Sequence, residues 1–320
     1  MTEASPLALF AWQRPWHTQR VLEALAASAR AEETDLFVFV DGPRHDREAG
    51  RVEEVISIAK NAVGFGSVSV QAAVTNLGLS RSITGGVTSV LQHSETVIVV
   101  EDDIVVSRSF LEFMNSHLEL YADDPAVASI HGYVYPHAMD LPPTFFIAGA
   151  DCWGWATWRR AWTQYRSDGG ALLDELQRQD LMGTFDFGGS AGYGDMLRDQ
   201  IAGRNDSWAV RWYASALLGG MYTLYPNRSL ATNIGSDGSG SHGGVSSAFD
   251  VEVSHDPVPA IRVPIEDSAI GREAFSEFFD SQRSGAGRSP VGRLARRWLR
   301  PLWIRMPSGL RHRVVRRLHP

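Results

Sequence analysis

Short apolar runs alternate with longer amphipathic segments over the first hundred residues of the chain. Four runs have the length of buried strands and are rich in Val, Ile and Phe. They are residues 6–12, 35–43, 67–74 and 96–107. Between them, three segments place apolar residues at helical spacing, namely 18–32, 47–62 and 79–94. Strands separated by helices predict parallel β-α-β units, and therefore an α/β fold with a mostly parallel, doubly wound sheet.

The second half of the chain has a less regular pattern and is rich in aromatic residues and glycine. It predicts a helix over 110–124, a strand over 127–135 and one or two helices over 193–220. Glycine is too frequent in 233–247 for a regular element, so we expect a flexible loop there. From about Gly285 the composition changes to Arg, Trp, Leu and Pro, which predicts a tail outside the folded core.

The composition is that of a folded protein with a large core. The chain has 320 residues, of which 44% are hydrophobic, 21% are charged and 10 are Trp, enough for one large domain. Cys152 is the single cysteine, which excludes an intramolecular disulfide. The first residues lack the pattern of a signal peptide, and no run approaches the ~20 apolar residues that span a bilayer. We therefore expect a protein of the reducing cytoplasm.

The charge is divided unevenly along the chain. The net charge is −7, but eleven arginines and no acidic residue follow Asp280, which leaves −18 on the residues before it. Between these arginines, Val, Leu and Trp residues recur at helical spacing, as in 291–302. Such a segment fits an anionic membrane surface, on which it would lie without spanning. A disordered basic tail or one that adheres to RNA has the same composition, although we expect no nucleic acid partner.

Three adjacent carboxylates, Glu101, Asp102 and Asp103, interrupt an apolar run. Their mutual repulsion costs stability unless a positive charge lies against them. In an open α/β sheet, ligands bind beyond the carboxyl ends of the parallel strands, which is where this triplet is expected. Carboxylates there suit a hard divalent cation that shares its ligands with phosphates. The alternatives are a solvent-exposed acidic strand end or an N-cap for the helix that begins at Phe110.

Five motifs follow one another along the chain. They are VVEDD (99–103), SRSFLEFM (107–114), ADCWGWATW (150–158), NDSWAVRW (205–212) and SDGSGSHGG (236–244). On these motifs, residues 6–245 resemble glycosyltransferases of the GT-A fold, most closely the N-acetylglucosaminyltransferase I group and related bacterial family-2-like sugar transferases. The resemblance implies a GT-A domain over 1–284, followed by the basic tail at 285–320. Within that domain, 1–107 would bind the nucleotide-sugar, and 108–284 would hold the acceptor and a closing loop.

The resemblance also implies roles at the acidic triplet. Asp103 would bind Mn²⁺ or Mg²⁺, and the ion would bridge the diphosphate of a nucleotide-sugar, which we expect to be a UDP-sugar. Asp102 and Glu101 would support the metal's water ligands or the ribose. The chemistry needs the ion because negative charge grows on the departing nucleoside diphosphate. In the closing loop, His242 is placed for the metal or the diphosphate, although a lone histidine is more often structural.

Three further residues follow the predicted strands or open the next helix and are candidates for binding the donor. Arg14 could face phosphate, although packed tryptophans could equally account for its loop. Asp41 corresponds to an acidic residue that related enzymes use on the base or ribose, but Asp-Gly-Pro is also a good turn by itself. Arg81 could reach the diphosphate, or it could be a surface arginine on a helix.

Aromatic residues dominate the third motif on the acceptor side. Trp153 and Gly154 are the candidates for contact with a sugar. The later tryptophans, Trp155, Trp158 and Trp162, have the spacing of a helix that faces the core.

An inverting transfer also needs a carboxylate that accepts the proton of the acceptor hydroxyl. The family has this aspartate in a Trp-Asp-Asp-Trp segment, and the counterpart here has Ala209 instead. Asp206 is therefore our first candidate for the base and Asp195 our second. Asp206 could instead be an N-cap for the helix that follows.

The sequence thus predicts a metal-dependent, inverting glycosyltransferase in bacterial polysaccharide or glycolipid assembly, with a glycan or lipid-linked acceptor. The tail places it on the inner face of the cell membrane as a peripheral protein. A nucleotidyltransferase would also have carboxylates at strand ends, but it usually has a Gly-rich, Lys-containing loop after the first strand, and AWQRPWHT (11–18) is not one. A non-catalytic sugar-nucleotide-binding scaffold stays open because of Ala209.

Overall fold

The structure, a computed structural model, describes residues 3–239 and 246–285. The strands are β1 (Leu7–Ala11), β2 (Asp35–Val40), β3 (Ser67–Ala72), β4 (Thr96–Glu101), β5 (Ile104–Val106), β6 (Val127–His131), β7 (Thr144–Ala148), β8 (Trp155–Trp158), β9 (Tyr222–Pro226) and β10 (Ala231–Asn233). The helices are α1 (Pro15–Ala26), α2 (Asp46–Lys60), α3 (Leu79–Leu91), α4 (Phe110–Leu120), α5 (Arg159–Trp162), α6 (Gly169–Arg178), α7 (Met182–Phe185), α8 (Tyr193–Ile201), α9 (Trp208–Leu218) and α10 (Ala269–Gly285).

The first four strands form the parallel half of a large central sheet, in the order β3-β2-β1-β4. Helices α1, α2 and α3 connect them in sequence, as the alternating pattern predicts. Strand β1 is buried along its whole length because it has a strand on each side and apolar residues toward both faces of the sheet. The α/β prediction is confirmed, and the carboxyl ends of β1 to β4 meet at one edge.

The second half of the same sheet is mixed, which the sequence pattern does not show. It continues from β4 in the order β8-β6-β9-β7, and only the β6–β9 pair is parallel. Four of the seven strand pairs in the sheet are parallel, so the prediction of a mostly parallel sheet is confirmed, and the three antiparallel pairs all involve β7 or β8. Strand β8 has only four residues and enters the sheet antiparallel between β4 and β6, and so short a strand leaves no distinct period in the sequence.

The predicted strand over 96–107 is wrong in one respect, because the chain turns at Asp102 and Asp103. Strand β4 ends at Glu101, and β5 leaves the main sheet to pair antiparallel with β10 in a two-stranded ribbon. Asp103 contributes to this ribbon through its backbone, since its carbonyl accepts a hydrogen bond of 2.8 Å from the Ile234 amide. The turn places both aspartate side chains at the carboxyl edge of the sheet.

The tryptophan spacing in the third motif also proves misleading. Trp155 and Trp158 lie in strand β8, and only Trp162 is helical, in the short α5. All three are buried, as predicted, but β8 is an inner strand whose residues are buried on both faces. Burial on both faces removes the alternation that would otherwise identify a strand.

Helix α3 passes through Gly85 and Gly86 without a break. A Cβ atom at Gly86 would lie 2.5 Å from the ring of Phe10 on β1 and 3.1 Å from the ring of Phe39 on β2. Gly86 is therefore required for the close approach of the helix to the sheet, whereas Gly85 faces open space. Gly86 therefore marks a packing site, whereas Gly85 has no neighbour that requires glycine.

By its contacts, the chain up to Phe278 forms one compact unit, and a second begins at Phe279, within α10. No helix of the described residues is both long and apolar enough to cross a membrane. His242 and the tail beyond residue 285 lie outside the described residues, so the expectations for them stay predictions. The domain boundary at 284 and 285 also stays a prediction.

Candidate active site

Four loops meet at the carboxyl edge of β1 to β4. They contain Trp12 to Arg14 after β1, Asp41 and Gly42 after β2, Asn76 to Gly78 after β3, and Asp102 and Asp103 after β4. Hydrogen bonds link the first loop to the fourth and the second to the third. The edge therefore has two organised centres, one around the aspartate pair and one around Asp41.

The cation that faces the acidic triplet within the protein is Arg14. Its guanidinium bridges the two aspartates, donating from Nη2 to Asp102 Oδ1 and, over 2.9 Å, to Asp103 Oδ2. The Trp12 amide donates to the other oxygen of Asp102 over 3.2 Å. Side-chain exposure is 18% for Arg14, 6% for Asp102 and 17% for Asp103, so the carboxylate of Asp103 is the more open of the two.

Burial and neighbouring charges raise the pKa values of Asp102, Glu101 and Arg14, each through a different balance of causes. Burial raises the pKa of Asp102, and the Arg14 charge opposes that shift. Burial, followed by repulsion from Asp103 and Asp102, raises the pKa of Glu101 to about 8. Burial alone would lower the pKa of Arg14, but the two aspartates outweigh it and raise that pKa. The cluster thus keeps Arg14 charged and makes ionisation of Glu101 less favourable.

Asp41 organises the neighbouring loop and has no acceptor site left for a ligand. Its carboxylate accepts from its own loop at Gly42 and from the third loop, at the Asn76 side chain and the amides of Leu77 and Gly78, over 2.7 to 3.0 Å. Four donors occupy the acceptor sites of a carboxylate. The structure therefore favours the turn interpretation of Asp41 over contact with a base or ribose.

Gly42 reinforces this second centre, because a Cβ atom there would lie 2.5 Å from the backbone of Thr75. The close approach joins the loops after β2 and β3 directly.

Arg81 follows on the first turn of α3, where it is exposed and makes no hydrogen bond or ion pair with the described residues. Its guanidinium is available to a ligand, which leaves the donor role and the surface role equally open.

The two candidates for the catalytic base are differently placed. Asp206 lies beside Gly78, since its Oδ2 is 3.9 Å from the Cβ position of that glycine, but it is 64% exposed and is 3.3 Å from the guanidinium of Arg211. The N-cap of α9 is Ser207 and not Asp206, because the Ser207 hydroxyl accepts from the Val210 amide. Asp195 is 84% exposed and pairs with Arg198 on α8, and no hydrogen bond or ion pair among the described residues links it to the aspartate pair.

A segment that follows β10 lies against the aspartate pair. A Cβ atom at Gly235 would be 2.2 Å from Asp103 Oδ2 and 2.9 Å from Arg14 Nη1, so only glycine fits there. Two residues further on, an oxygen of Asp237 is 3.1 Å from Nε2 of the buried His17, although not aligned for a hydrogen bond. The part of the glycine-rich segment that the structure describes therefore borders the predicted donor site.

An open pocket of about 180 Å³ lies beside these residues, lined by residues 13–17, Arg51 and Ser239. Trp16 on the first turn of α1 is 61% exposed. The sequence pattern predicts a loop over 11–18, but Pro15 begins α1, as proline favours at the first helical position. Trp16 and Arg51 were not predicted as site residues, because neither belongs to a motif.

The protein oxygen atoms at this site can coordinate a divalent cation, but a bound ligand must contribute further oxygen atoms to complete the coordination. Asp102 and Asp103 provide the hard oxygen atoms that Mg²⁺ or Mn²⁺ prefers. The described residues contain no group of three or more His, Cys, Asp or Glu side chains arranged for a metal. An ion held there would thus complete its coordination with phosphate oxygens and water, as Mg²⁺ commonly does.

Trp153 and Gly154 lie at the same edge through strand β8. A Cβ atom at Gly154 would be 3.4 Å from the side chain of Ile104, the residue after Asp103. Trp153 packs edge to face on Tyr133, with ring centroids 4.8 Å apart, and on Phe249 at 5.4 Å. Its partly buried ring leaves less free surface than an open sugar platform would offer.

No protein-family model matches the sequence, and a comparison with curated proteins gives no match. Solved structures with a similar arrangement include a mannosyltransferase from Pyrobaculum calidifontis in complex with GDP-Man and Mn²⁺, at 11% identity and a TM-score of 0.34, over 56% of this chain and 47% of that one. S. aureus TarS gives a TM-score of 0.41 at 11% identity, over 73% of this chain and 37% of that one, and its 1–349 fragment gives 0.34 at 11%, over 55% and 49%. The matched part is less than half of each of these chains.

Proposed function

We propose that this protein is a metal-dependent, inverting glycosyltransferase that moves a sugar from a nucleotide-diphosphate donor to a glycan or lipid-linked acceptor. The observation that supports it best is the Arg14–Asp102–Asp103 cluster at the carboxyl edge of the parallel strands. This edge is where open α/β sheets bind their ligands. A guanidinium and a carboxylate-held cation side by side are complementary to a diphosphate. That the diphosphate carries a sugar is inferred from the motif resemblance, and we propose that the donor is a UDP-sugar.

The residues divide the task in this proposal. Asp103, the more exposed carboxylate, holds the ion, and Asp102 stays fixed by the Trp12 amide and Arg14. Nη2 of Arg14 donates hydrogen bonds to both aspartates, and the other N–H groups of the guanidinium can donate to phosphate oxygens. When bound, Mn²⁺ or Mg²⁺ would stabilise the negative charge on the leaving diphosphate.

The test combines binding and turnover. Purified protein is incubated with Mn²⁺ and a panel of UDP- and GDP-sugars, and thermal stabilisation and release of the nucleoside diphosphate are measured. Asp103→Ala should lose at least ~100-fold in release, or ~2.7 kcal/mol, and should no longer be stabilised by nucleotide with Mn²⁺. The fold should survive, because Asp103 lies at the edge and not in the core.

Glu95→Gln is the matched control. Glu95 precedes β4 at the opposite end of the strand, is 77% exposed and pairs only with Arg159 at 2.7 Å. It should keep full activity, since exposed ion pairs contribute little. Metal-dependent release by Asp103→Ala within about tenfold of the wild-type rate, ~1.4 kcal/mol, would reject the ligand assignment.

Two other results would reject the proposal as a whole, one from this assay and one from a parallel assay with a nucleoside triphosphate and a sugar phosphate. Release of pyrophosphate from a nucleoside triphosphate and a sugar phosphate would indicate a nucleotidyltransferase. Stabilisation by nucleotide-sugars without any turnover would indicate a binding scaffold.

The surroundings of the reaction are proposed from the sequence alone. The tail at 285–320 would hold the enzyme on an anionic membrane, at the inner face of the cell membrane, where a lipid-linked acceptor would lie. The role of His242 at the metal or diphosphate is proposed on the same basis.

A further inference from the structure

Asp151 is a carboxylate in the acceptor half that forms no ion pair with a Lys or Arg of the described residues. Its Oδ2 accepts hydrogen bonds from the hydroxyls of Tyr135 at 3.1 Å and Tyr225 at 3.3 Å. Its Oδ1 accepts one from the Cys152 amide at 2.8 Å. Within the part of the chain that the structure describes, no Lys or Arg lies within ion-pair distance of it. A largely buried anion held only by neutral donors is costly and calls for an explanation.

The neighbouring histidine does not supply the missing charge. His131 Nε2 lies 3.9 Å from Asp151 Oδ1, which would be an ion pair if the ring were protonated. However, its Nδ1 is 2.7 Å from the Tyr133 carbonyl and must donate, while Nε2 accepts from the Trp153 amide at 2.9 Å. Complete burial lowers the pKa of His131 as well, although the Asp151 charge opposes this. His131 is therefore neutral and cannot donate to Asp151.

Strand pairing brings Asp151 to the edge where the aspartate pair lies. Val99 of β4 pairs with Trp155 of β8 in antiparallel register. Because β8 runs antiparallel to β4, β8 begins at the carboxyl edge of the parallel strands, and the segment 151–154 that leads into it lies at that edge. Cys152 links the two sites electrostatically, because burial first, and then the charges of Asp151, Glu101 and Asp103, raise the pKa of its thiol.

The carboxylate of Asp151 is partly exposed. Its side chain is 16% exposed. On the inner side, tyrosine and phenylalanine rings enclose a cavity of about 10 Å³, roughly the space of one water molecule. This partial exposure leaves room for an acceptor hydroxyl to donate a hydrogen bond to the carboxylate.

We propose that Asp151 is the general base of the transfer, an inference that rests on the proposed glycosyltransferase function. The acceptor hydroxyl gives its proton to Asp151 while its oxygen forms a bond to the anomeric carbon of the donor. The bond between that carbon and the diphosphate oxygen breaks, and its electron pair leaves with the nucleoside diphosphate. Asp151 later returns the proton to solvent, so no oxidant or reductant is needed.

This assignment differs from the one that the motif resemblance favours. Asp206 is 64% exposed and lies 3.3 Å from the Arg211 guanidinium, so its carboxylate already has a cationic partner. Asp151 has no such neighbour and two phenols that fix its orientation. The structure thus moves the base from the start of α9 to the segment before β8.

The experiment compares Asp151→Asn, Asp206→Asn and the control Glu95→Gln with the wild type. It measures release of the nucleoside diphosphate from the UDP- and GDP-sugar panel with Mn²⁺, in water and with octyl glycosides as acceptors. Asp151→Asn should release at least ~100-fold less, as for other lost general bases, with donor-induced thermal stabilisation unchanged. Its melting temperature without ligand should fall only slightly, because asparagine has the same shape, and the loss of one acceptor oxygen is offset by removal of a buried charge.

Each contrary result is decisive. Release by Asp151→Asn within about threefold of wild type, while Asp103→Ala is inactive, would overturn the assignment and leave the glycosyltransferase function standing. Loss of release in Asp206→Asn alone would restore Asp206 as the base. A large drop in the melting temperature of Asp151→Asn would show a structural role. No release by the wild-type protein with any donor would overturn the proposed function and the role of Asp151 together.

Discussion

Replacing Arg14 tests whether its guanidinium is the charge that makes the acidic edge stable. Arg14→Met keeps much of the apolar volume of the side chain and removes the cation from two carboxylates that are 6% and 17% exposed. Removing one partner of a buried ion pair typically costs 3–5 kcal/mol, because the other charge is left uncompensated. Since this cluster is partly exposed, we expect the lower end, about 3 kcal/mol, or roughly 6 °C in melting temperature for a chain of this size.

Denaturant unfolding in metal-free buffer measures this loss, and the control is Arg20→Met on the same helix. Arg20 is 55% exposed and lies 3.5 Å from Glu23, so its loss should change the free energy of unfolding by less than about 1 kcal/mol. The double variant Arg14→Met with Asp102→Asn should recover part of the stability, because one of the repelling charges is gone. Mn²⁺ should stabilise Arg14→Met more than wild type, since the ion would take the place of the guanidinium. If Arg14→Met unfolds within about 1 kcal/mol of wild type, Arg14 is not the counter-charge of the acidic edge.

The remaining predictions concern the core. Gly86→Ala should destabilise the protein by about 1–3 kcal/mol through overpacking against Phe10. Gly85→Ala should stabilise it by about 0.5–1 kcal/mol. Denaturant unfolding measures both, and equal effects of the two substitutions would contradict the packing of α3. Burial lowers the pKa values of His117 and His131, so both histidines favour the neutral form in the folded state. Their contribution to stability is therefore present above the unfolded pKa of about 6.5 and is lost as the pH falls below it. Unfolding free energy should drop by up to ~1.4 kcal/mol per pH unit for each histidine below pH 6.5. His117→Asn, whose amide can still donate to the Phe113 carbonyl that Nδ1 now contacts, should flatten that slope, and an unchanged slope would show that His117 does not cause it.

Much of the first half of the protein follows from the sequence alone. Apolar runs and helical spacing predict β1 to β4 and α1 to α3 because burial imposes a local period on each element. The acidic triplet lies at the end of β4, where the pattern places it. That position follows from topology, since successive right-handed β-α-β units bring the carboxyl ends of parallel strands to one edge.

The partners within that edge were decided by the tertiary structure. Arg14 contacts Asp102 and Asp103 across 88 and 89 residues, and Asp41 binds a loop 36 residues away. No local period in the sequence specifies which distant hydrogen-bond donor reaches a carboxylate. The sequence therefore predicts phosphate as the partner of Arg14 and a base or ribose as the partner of Asp41. The turn at Asp102 likewise depends on β10, which pairs with β5 from more than a hundred residues further along the chain.

Asp151 shows the same limit most clearly. The tryptophans of its motif have a regular spacing that predicts buried positions. The single aspartate before them belongs to no such pattern, so the sequence predicts no role for it. Its neighbours Tyr135 and Tyr225 come from two other segments, and β8 reaches the edge only through antiparallel pairing with β4. Local burial patterns determine which segments become strands and helices, but the charge environment of a side chain depends on which strands pair, and that is settled only when the chain is folded.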